Sequence, residues 1–263
     1  MQVWDGLTDA RISFDWAQAA ASSFSSPIGS PTIAAMIENQ NLTTALLAHL
    51  TSIGGVTMFS PTRVESIGLG TDSDSVDFSS WPVLTLSDGK TLAARLLVGA
   101  DGANSPVRSF AGIPSRGWDY NRHGVVATLK LENNGKGGDG HKIAYQRFLA
   151  TGPVAMLPLP GNFASLVWST TPSCAAKLKT LKREDFVAMV NAAFRLGKID
   201  LQYLHTMESG QSDEVAWRMQ HTPREEEKCP SMVIDVQEGS VAGFPLKMRH
   251  ADTYIGERVA LVG

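Results

Sequence analysis

The sequence predicts a mixed α/β (α+β) fold, a partial Rossmann-like part joined to an antiparallel sheet, and three observations predict it. The apolar run Leu96-Leu97-Val98 leads through Gly99-Ala100-Asp101-Gly102 to Ser105-Pro106, which reads as a core strand, a tight turn and a capped helix start. Val125 to Leu131, Ile143 to Leu149, Val154 to Leu157 and Ser165 to Ser169 then follow one another as strands, the succession of an antiparallel sheet. Helical periods interrupt the strands, with Leu42, Leu46, Leu50 and Ile53 on one stripe and Phe186, Val190 and Phe194 on another.

In chain order, Met1 to Asp5 and Ala10 to Asp15 are short alternating strands joined by the polar turn Gly6 to Asp9, a hairpin. Residues 21–31, rich in Ser with Pro27, Gly29 and Pro31, form a loop, and a helix starts at Asn39 or Asn41. Val56 to Phe59, Arg63 to Leu69, Val83 to Leu86 and Thr91 to Val98 are predicted strands. The last two close around Asp88-Gly89, where glycine supplies the positive φ of a hairpin turn. Thr71 to Ser75 and Asn133 to Gly140 are polar surface loops, and the second lacks the G-x-x-x-x-G-K-[ST] pattern of a phosphate cradle. A helix spans Arg183 to Leu196, residues 222–230 form a charged link, and Arg258 to Gly263 rebuilds an apolar strand.

Composition excludes several classes. With 43% apolar residues in 263, the chain can build a substantial core. A formal net charge of -3, with the cations scattered, leaves no footprint for nucleic acid. No apolar run approaches the ~18 residues that a membrane-spanning helix needs, so membrane contact is expected to be peripheral. The two cysteines, Cys174 and Cys229, have no C-x-x-C spacing; no metal site is expected, and a reducing compartment fits.

The turn at Asp101 puts a carboxylate at the carboxyl end of a strand, where α/β folds bind cofactors; the plainer reading is an Asp that orders a βα turn. The longer pattern G-A-D-G-x-x-S-x-V-R, from Gly99 to Arg108, resembles the Asp-Gly motif of the flavin-dependent aromatic hydroxylases, the family of p-hydroxybenzoate hydroxylase. Further segments share the likeness in the family's order: Met1 to Asp5, Glu38-Asn39, Val125 to Leu129, Gln146 to Leu149, Gly152 to Leu159, Ser165 to Thr170, Phe244-Pro245-Leu246 and Arg258 to Gly263. Within the family the chain is most similar to the mitochondrial ubiquinone (coenzyme Q) biosynthesis branch.

The resemblance implies a p-hydroxybenzoate hydroxylase-like fold, with a partial FAD-binding Rossmann-like domain and an antiparallel-sheet substrate domain. It divides the chain into a substrate-domain hairpin and loop (1–30), partial FAD-binding domain (31–112), substrate-binding sheet (113–250) and the start of a Gly-Asp strand (251–263). It implies an FAD-dependent monooxygenase that hydroxylates the ring of a polyprenylated phenol with O₂ through a flavin C4a-hydroperoxide. The cofactor carries that chemistry, so no acid-base dyad is required and no catalytic side chain is assigned. Cofactor contacts map to Asn39, Asp101, Gly102, Arg108 and Gly263, with a plain N-cap and a surface ion pair as the other readings of Asn39 and Arg108. Substrate contacts map to Phe148, Leu157, Trp168, Phe244, Pro245 and Leu246, beside Pro158, with ordinary sheet core as the other reading.

The branch also implies a ferredoxin-type electron donor, a ubiquinone-biosynthesis complex as partner and a peripheral place on the matrix side of the mitochondrial inner membrane. The family's opening G-x-G-x-x-G turn is absent and the chain stops where the Gly-Asp motif would begin. An internal fragment is therefore expected, inactive and weak in FAD binding by itself. Two other functions are weighed: a related hydroxylase for a soluble phenol, which a charged Arg or Tyr cluster in the sheet would support and the apolar Gly152 to Leu159 segment speaks against, and a non-catalytic interaction module.

Overall fold

The alternating runs become strands in a computed structural model that describes residues 1–14, 34–72, 77–133, 143–222 and 228–263. The first half contains β1 (Gln2–Asp5), β2 (Arg11–Ser13), α1 (Asn39–Ile53), β3 (Val64–Leu69), β4 (Pro82–Leu86), β5 (Thr91–Ala93), β6 (Leu97–Gly99), α2 (Pro106–Phe110) and β7 (Ser115–Leu131). Then follow β8 (Tyr145–Leu149), β9 (Gly152–Pro158), β10 (Phe163–Thr170), α3 (Pro172–Thr180), α4 (Arg183–Arg195), α5 (Lys198–Thr206) and α6 (Gln211–His221). The chain ends with β11 (Val233–Val236), β12 (Ala242–Ala251), β13 (Ile255–Gly256) and β14 (Val259–Leu261). The loops read at 21–31 and most of 133–140 lie outside the described residues, as do parts of those at 71–75 and 222–230.

Two compact units emerge, Met1–Thr44 with Asn121–Leu246, and Ala45–Tyr120 with Lys247–Gly263. The boundaries differ from the sequence divisions at 30/31, 112/113 and 250/251, and they fall inside α1, within β7 and within β12. Regular elements run through these points, so no change of composition marks them.

The first unit is built on a sheet of order β11-β7-β10-β9-β8-β1-β2, with β12 also paired to β7. The hairpin β1–β2 is antiparallel as expected, and β1 joins β8 in parallel. Along β10, Ala164, Leu166, Trp168 and Thr170 are buried while the residues between them are partly exposed, so one face of the sheet is covered. Helices α3 to α6 cover it: Trp4, Leu129, Met156, Leu166 and Trp168 share a core with Phe186, Met189, Phe194 and Leu204. Helix α4 follows the expected span, whereas α3, α5 and α6 were not predicted.

In the second unit, β3-β4-β5 form an antiparallel sheet around the Asp88-Gly89 turn, with Gly89 at φ +80°. The predicted strand Thr91 to Val98 divides into β5 and β6, and β6 leaves for a different sheet, β13-β14-β6. The apolar run Val56 to Phe59 forms no strand; Val56, Met58 and Phe59 stay exposed and lack a pairing partner among the described residues. Helix α1 begins at Asn39, and its stripe of Leu42, Leu46, Leu50 and Ile53 is exposed.

Candidate functional site

Strand β6 delivers the chain into the Asp101 turn, and Pro106 at the first position of α2 fixes the helix start. Ser105 caps α2, its Oγ accepting from Arg108 N at 2.9 Å, and Asp101 Oδ2 accepts from Val107 N at 3.2 Å. Burial opposes ionisation of Asp101, but hydrogen bonds from Ser105 and the Val107 N–H outweigh it, and the carboxyl lies below its ordinary pKa. Asp101 therefore orders its turn, and it does so as an anion at the mouth of a cleft.

Strand β14 lies parallel to β6, with Leu261 opposite Gly99 and Val262 N donating to Gly99 O at 2.9 Å. This pairing sets the carboxyl ends of both strands side by side, so Asp101, Gly102, Arg108 and Gly263 line one cleft with Arg249, His250 and Tyr254. Gly102 has φ +85°, and an added Cβ there would meet nothing within 4 Å, so its backbone is open to a ligand. Arg249 Nη2 stands 3.1 Å from Asp119 Oδ1, and the His250 and Tyr254 rings meet edge-on at 5.5 Å. An acidic turn faces a cationic wall, an arrangement suited to a ligand with both hydroxyl and phosphate groups. Sequence reasoning missed Arg249, His250 and Tyr254; only adjacency to the Arg258–Gly263 segment could have found them.

Asn39 belongs to the other unit, at the first position of α1, and does not line that cleft. Its neighbours Glu38 and Asn41 line a separate cavity of the first unit with Thr128, Leu159 and Phe163, and Asn41 Nδ2 donates to Glu38 Oε2 at 3.0 Å.

The six residues read as substrate contacts do not share a face. Phe148, half exposed, and Leu157 alternate with Arg147 and Met156, which are buried under the helices, and so project from the opposite, open face. Phe244 and Leu246 pack over Gly124, where an added Cβ would lie 3.2 Å from the Phe244 ring and 3.5 Å from Leu246; Pro245 between them is exposed. Trp168 is the correction. It pairs with Val154 and Val125 and is 1% exposed within the helix-covered core, because the odd and even positions of β10 serve different faces. Arg147 also turns to the covered face, donating from Nη1 to Ala193 O and Leu196 O, each at 2.9 Å.

A family model described as an FAD binding domain matches residues 16–224. The ubiquinone biosynthesis monooxygenase COQ6, mitochondrial, of Saccharomyces cerevisiae is 45% identical over 206 residues, 73% of this chain and 42% of the relative. Its namesake from Schizosaccharomyces pombe is 37% identical over 98% of this chain and 52% of the relative, and that of Homo sapiens 34% identical over 100% and 53%. The chain thus spans about half the length of the curated relatives it matches. Among solved structures, CmlS, a flavin-dependent halogenase, superposes with a TM-score of 0.59 at 18% identity, covering 100% of this chain and 40% of that one. PqsL, a probable FAD-dependent monooxygenase from Pseudomonas aeruginosa, gives 0.53 at 20% identity over 85% and 51%. At such identities the likeness concerns the fold, and it is the mixed α/β, p-hydroxybenzoate hydroxylase-like fold that the sequence predicted.

Proposed function

The chain belongs to the FAD-binding domain family, that of the flavin-dependent aromatic hydroxylases, and on that premise we propose that it is part of a monooxygenase acting on a polyprenylated phenol in ubiquinone biosynthesis. The observation that carries the reading is the cleft at the ends of β6 and β14. Open backbone at Gly102 allows a ribityl or phosphate chain to approach, Arg108 and Arg249 offer positive charge, and Asp101 accepts from a hydroxyl. The residues present therefore fit part of an FAD site. Bound FAD supplies the activation of O₂ and the transfer of one oxygen atom to the ring. The protein's own part is to bind and orient the cofactor and the phenol and to keep water from the reacting atoms.

For the phenol, the open sheet face is the proposed surface, with Phe148, Leu157, Phe244 and Leu246 supplying apolar contact and Pro245 a stiff bend. The first unit is accordingly the substrate-binding part and the second a portion of the FAD-binding part. Positions of β8 to β10 on that face, including exposed Phe148 and partly buried Gln146, Leu157 and Val167, carry no charge, and Arg147 is committed elsewhere. This favours a prenylated substrate over a soluble phenolic acid. The relatives are named as mitochondrial, which supports a mitochondrial setting, and among the described residues no helix is long and apolar enough to cross a membrane. A ferredoxin-type donor, a biosynthetic complex and a peripheral site on the inner membrane complete the proposal.

Titration of FAD by flavin fluorescence tests the cleft. Saturable quenching is expected, with Kd raised roughly tenfold by Arg249→Ala, the loss of about one charge-assisted hydrogen bond, and unchanged by Lys130→Ala. Equal Kd values for Arg249→Ala and the unaltered chain would overturn the cleft assignment. Incorporation of one ¹⁸O atom from ¹⁸O₂ into a short-chain prenylated phenol tests the reaction.

A further inference from the structure

On the helix-covered side of the first unit, a cavity of about 220 Å³ lies among the β8–β9 turn, β10, α3 and α5. Leu149, Trp168 and Leu201 form apolar walls, Cys174 and His205 both line it, and exposed Lys198 stands at the mouth. Cys174 is half-buried in the first turn of the nine-residue helix α3, whose N-cap Thr171 accepts from Cys174 N at 3.3 Å. His205 packs edge-on against Trp168, ring centroids 6.1 Å apart. Trp168 is 1% exposed, and its Nε1 has no hydrogen-bond partner among the described residues. A buried donor without an acceptor is uncommon, and beside a cavity it asks for an acceptor on whatever fills that space.

We propose that this cavity is a covalent ligand site, in which Cys174 adds to a small, neutral α,β-unsaturated carbonyl compound, a quinone or enone, whose carbonyl oxygen accepts from Trp168 Nε1. The thiol proton passes to His205, the S–C bond forms at the β-carbon, and the C=C electron pair moves to give an enolate. His205 returns the proton, to the α-carbon of an enone or, for a quinone, to the enolate oxygen, after which the hydrogen on the attacked carbon shifts to the second carbonyl oxygen and leaves the hydroquinone thioether. Nothing is oxidised or reduced by an outside reagent. The site is separate from the proposed FAD cleft and does not depend on it.

Three features favour the thiolate. The nearby His205 ring is the largest influence; it and the Thr171 and Thr170 hydroxyls outweigh burial and bring the thiol to about 7. The N-terminus of α3 adds its positive end. Other charges nearby are committed: Lys177 Nζ binds His205 O, at 3.0 Å, and Met207 O, and Asp200 on α5 is paired with Arg218. Cys229 lacks this environment; it is 6% exposed and its thiol donates to Phe194 O at 3.6 Å.

The test is the rate of 1,4-benzoquinone and iodoacetamide addition between pH 5.5 and 9, read by intact mass and peptide mapping. Adduct is expected at Cys174 and not Cys229, with a midpoint near 7, and at pH 6.5 about fivefold faster than an ordinary thiol of pKa about 8.5. His205→Gln is expected to move the midpoint upward by about one unit or more. Ala150→Phe, in the exposed β8–β9 turn at the cavity wall, is expected to block the quinone while iodoacetamide keeps its midpoint. A midpoint of about 8.5 that His205→Gln does not move, or quinone addition unaffected by Ala150→Phe, would overturn the proposal.

Discussion

The backbone N–H of Val107 donates to Asp101 Oδ2 at 3.2 Å, so the carboxylate at the end of β6 is tied to the first turn of α2. With Ser105 Oγ serving Arg108 N, two of the four unpaired N–H groups at the start of this short helix are satisfied by side chains. Asp101→Asn is therefore expected to destabilise the second unit by about 1 kcal/mol near neutral pH, as loss of a capping anion does. Because the folded carboxyl is depressed, its contribution is fully present above the unfolded pKa of about 3.9 and is lost as pH falls through the lower folded value. Urea unfolding from pH 7 to 2.5 checks this: the wild-type advantage should hold to about pH 5 and shrink below about 4.

Gly99 answers to sterics. A Cβ at Gly99 would lie 2.8 Å from Val107 Cβ and 3.0 Å from Leu261 Cδ2, since helix α2 and strand β14 both press on the end of β6. Gly99→Ala is expected to cost about 1–3 kcal/mol by overpacking. Val107→Ala removes Cγ1, 2.9 Å from that position, while its Cβ stays, so the double variant should recover part of that cost; a coupling energy of zero in the double-mutant cycle would remove this explanation of the glycine.

Arg147 sits in a strand yet functions as a helix cap. Its Nη1 reaches the carbonyls of Ala193 and Leu196 at the C-terminus of α4, where unpaired carbonyls collect negative charge. Burial pulls its pKa below the ordinary arginine value, but the guanidinium remains the cation there. Arg147→Met should destabilise by about 3 kcal/mol, leaving two carbonyls without their donor, with Arg147→Lys intermediate. Thermal melts of the three proteins give the order directly.

The contrast between Gly99 and Arg147 shows how much was legible in sequence. The Gly99–Arg108 turn is local: strand end, glycine, N-cap and proline lie within ten residues, and the fold reproduces them. The register that brings Gly263 beside it was accessible only through the family resemblance. Trp168 was misplaced, and the role of Arg147 went unread, because alternation separates two faces of a strand without saying which one helices will cover. Those helices were themselves hard to see. Helix α5 buries only Leu201 and Leu204, and α6 buries Gln211 with Val215, so neither presents a full apolar stripe. The missing cleft residues Arg249 and His250 lie on β12, which carries no cofactor motif of its own.

Gly124 governs the place of Phe244. The ring packs 3.2–3.3 Å from where a Cβ would be, so Gly124→Ala must push Phe244 aside by a few tenths of an ångström. If Phe244 contacts the phenol, KM for the prenylated substrate should rise by about three- to tenfold, a loss on the scale of one methylene contact, while FAD affinity is unchanged. An unchanged KM in Gly124→Ala would separate Phe244 from the substrate surface.

Asp119 moderates the charge of the cleft. Its carboxylate lies 3.1 Å from Arg249 Nη2 and 3.4 Å from Lys247 Nζ, so one anion neutralises part of the cationic wall. The pairs are exposed, and their worth to stability is small. Their worth to an anionic dinucleotide differs in sign, because removing Asp119 leaves Arg249 in place with its charge uncompensated. Asp119→Asn should tighten FAD by about two- to threefold at low ionic strength, the magnitude of one unit charge acting across several ångströms of water. At about 1 M salt the Debye length falls to ~3 Å and the gain should vanish, whereas the loss in Arg249→Ala should persist as far as it reflects a direct hydrogen bond. Parallel titrations at two salt concentrations distinguish the two effects, and a salt-independent change in Asp119→Asn would point to rearrangement of the wall instead of its charge.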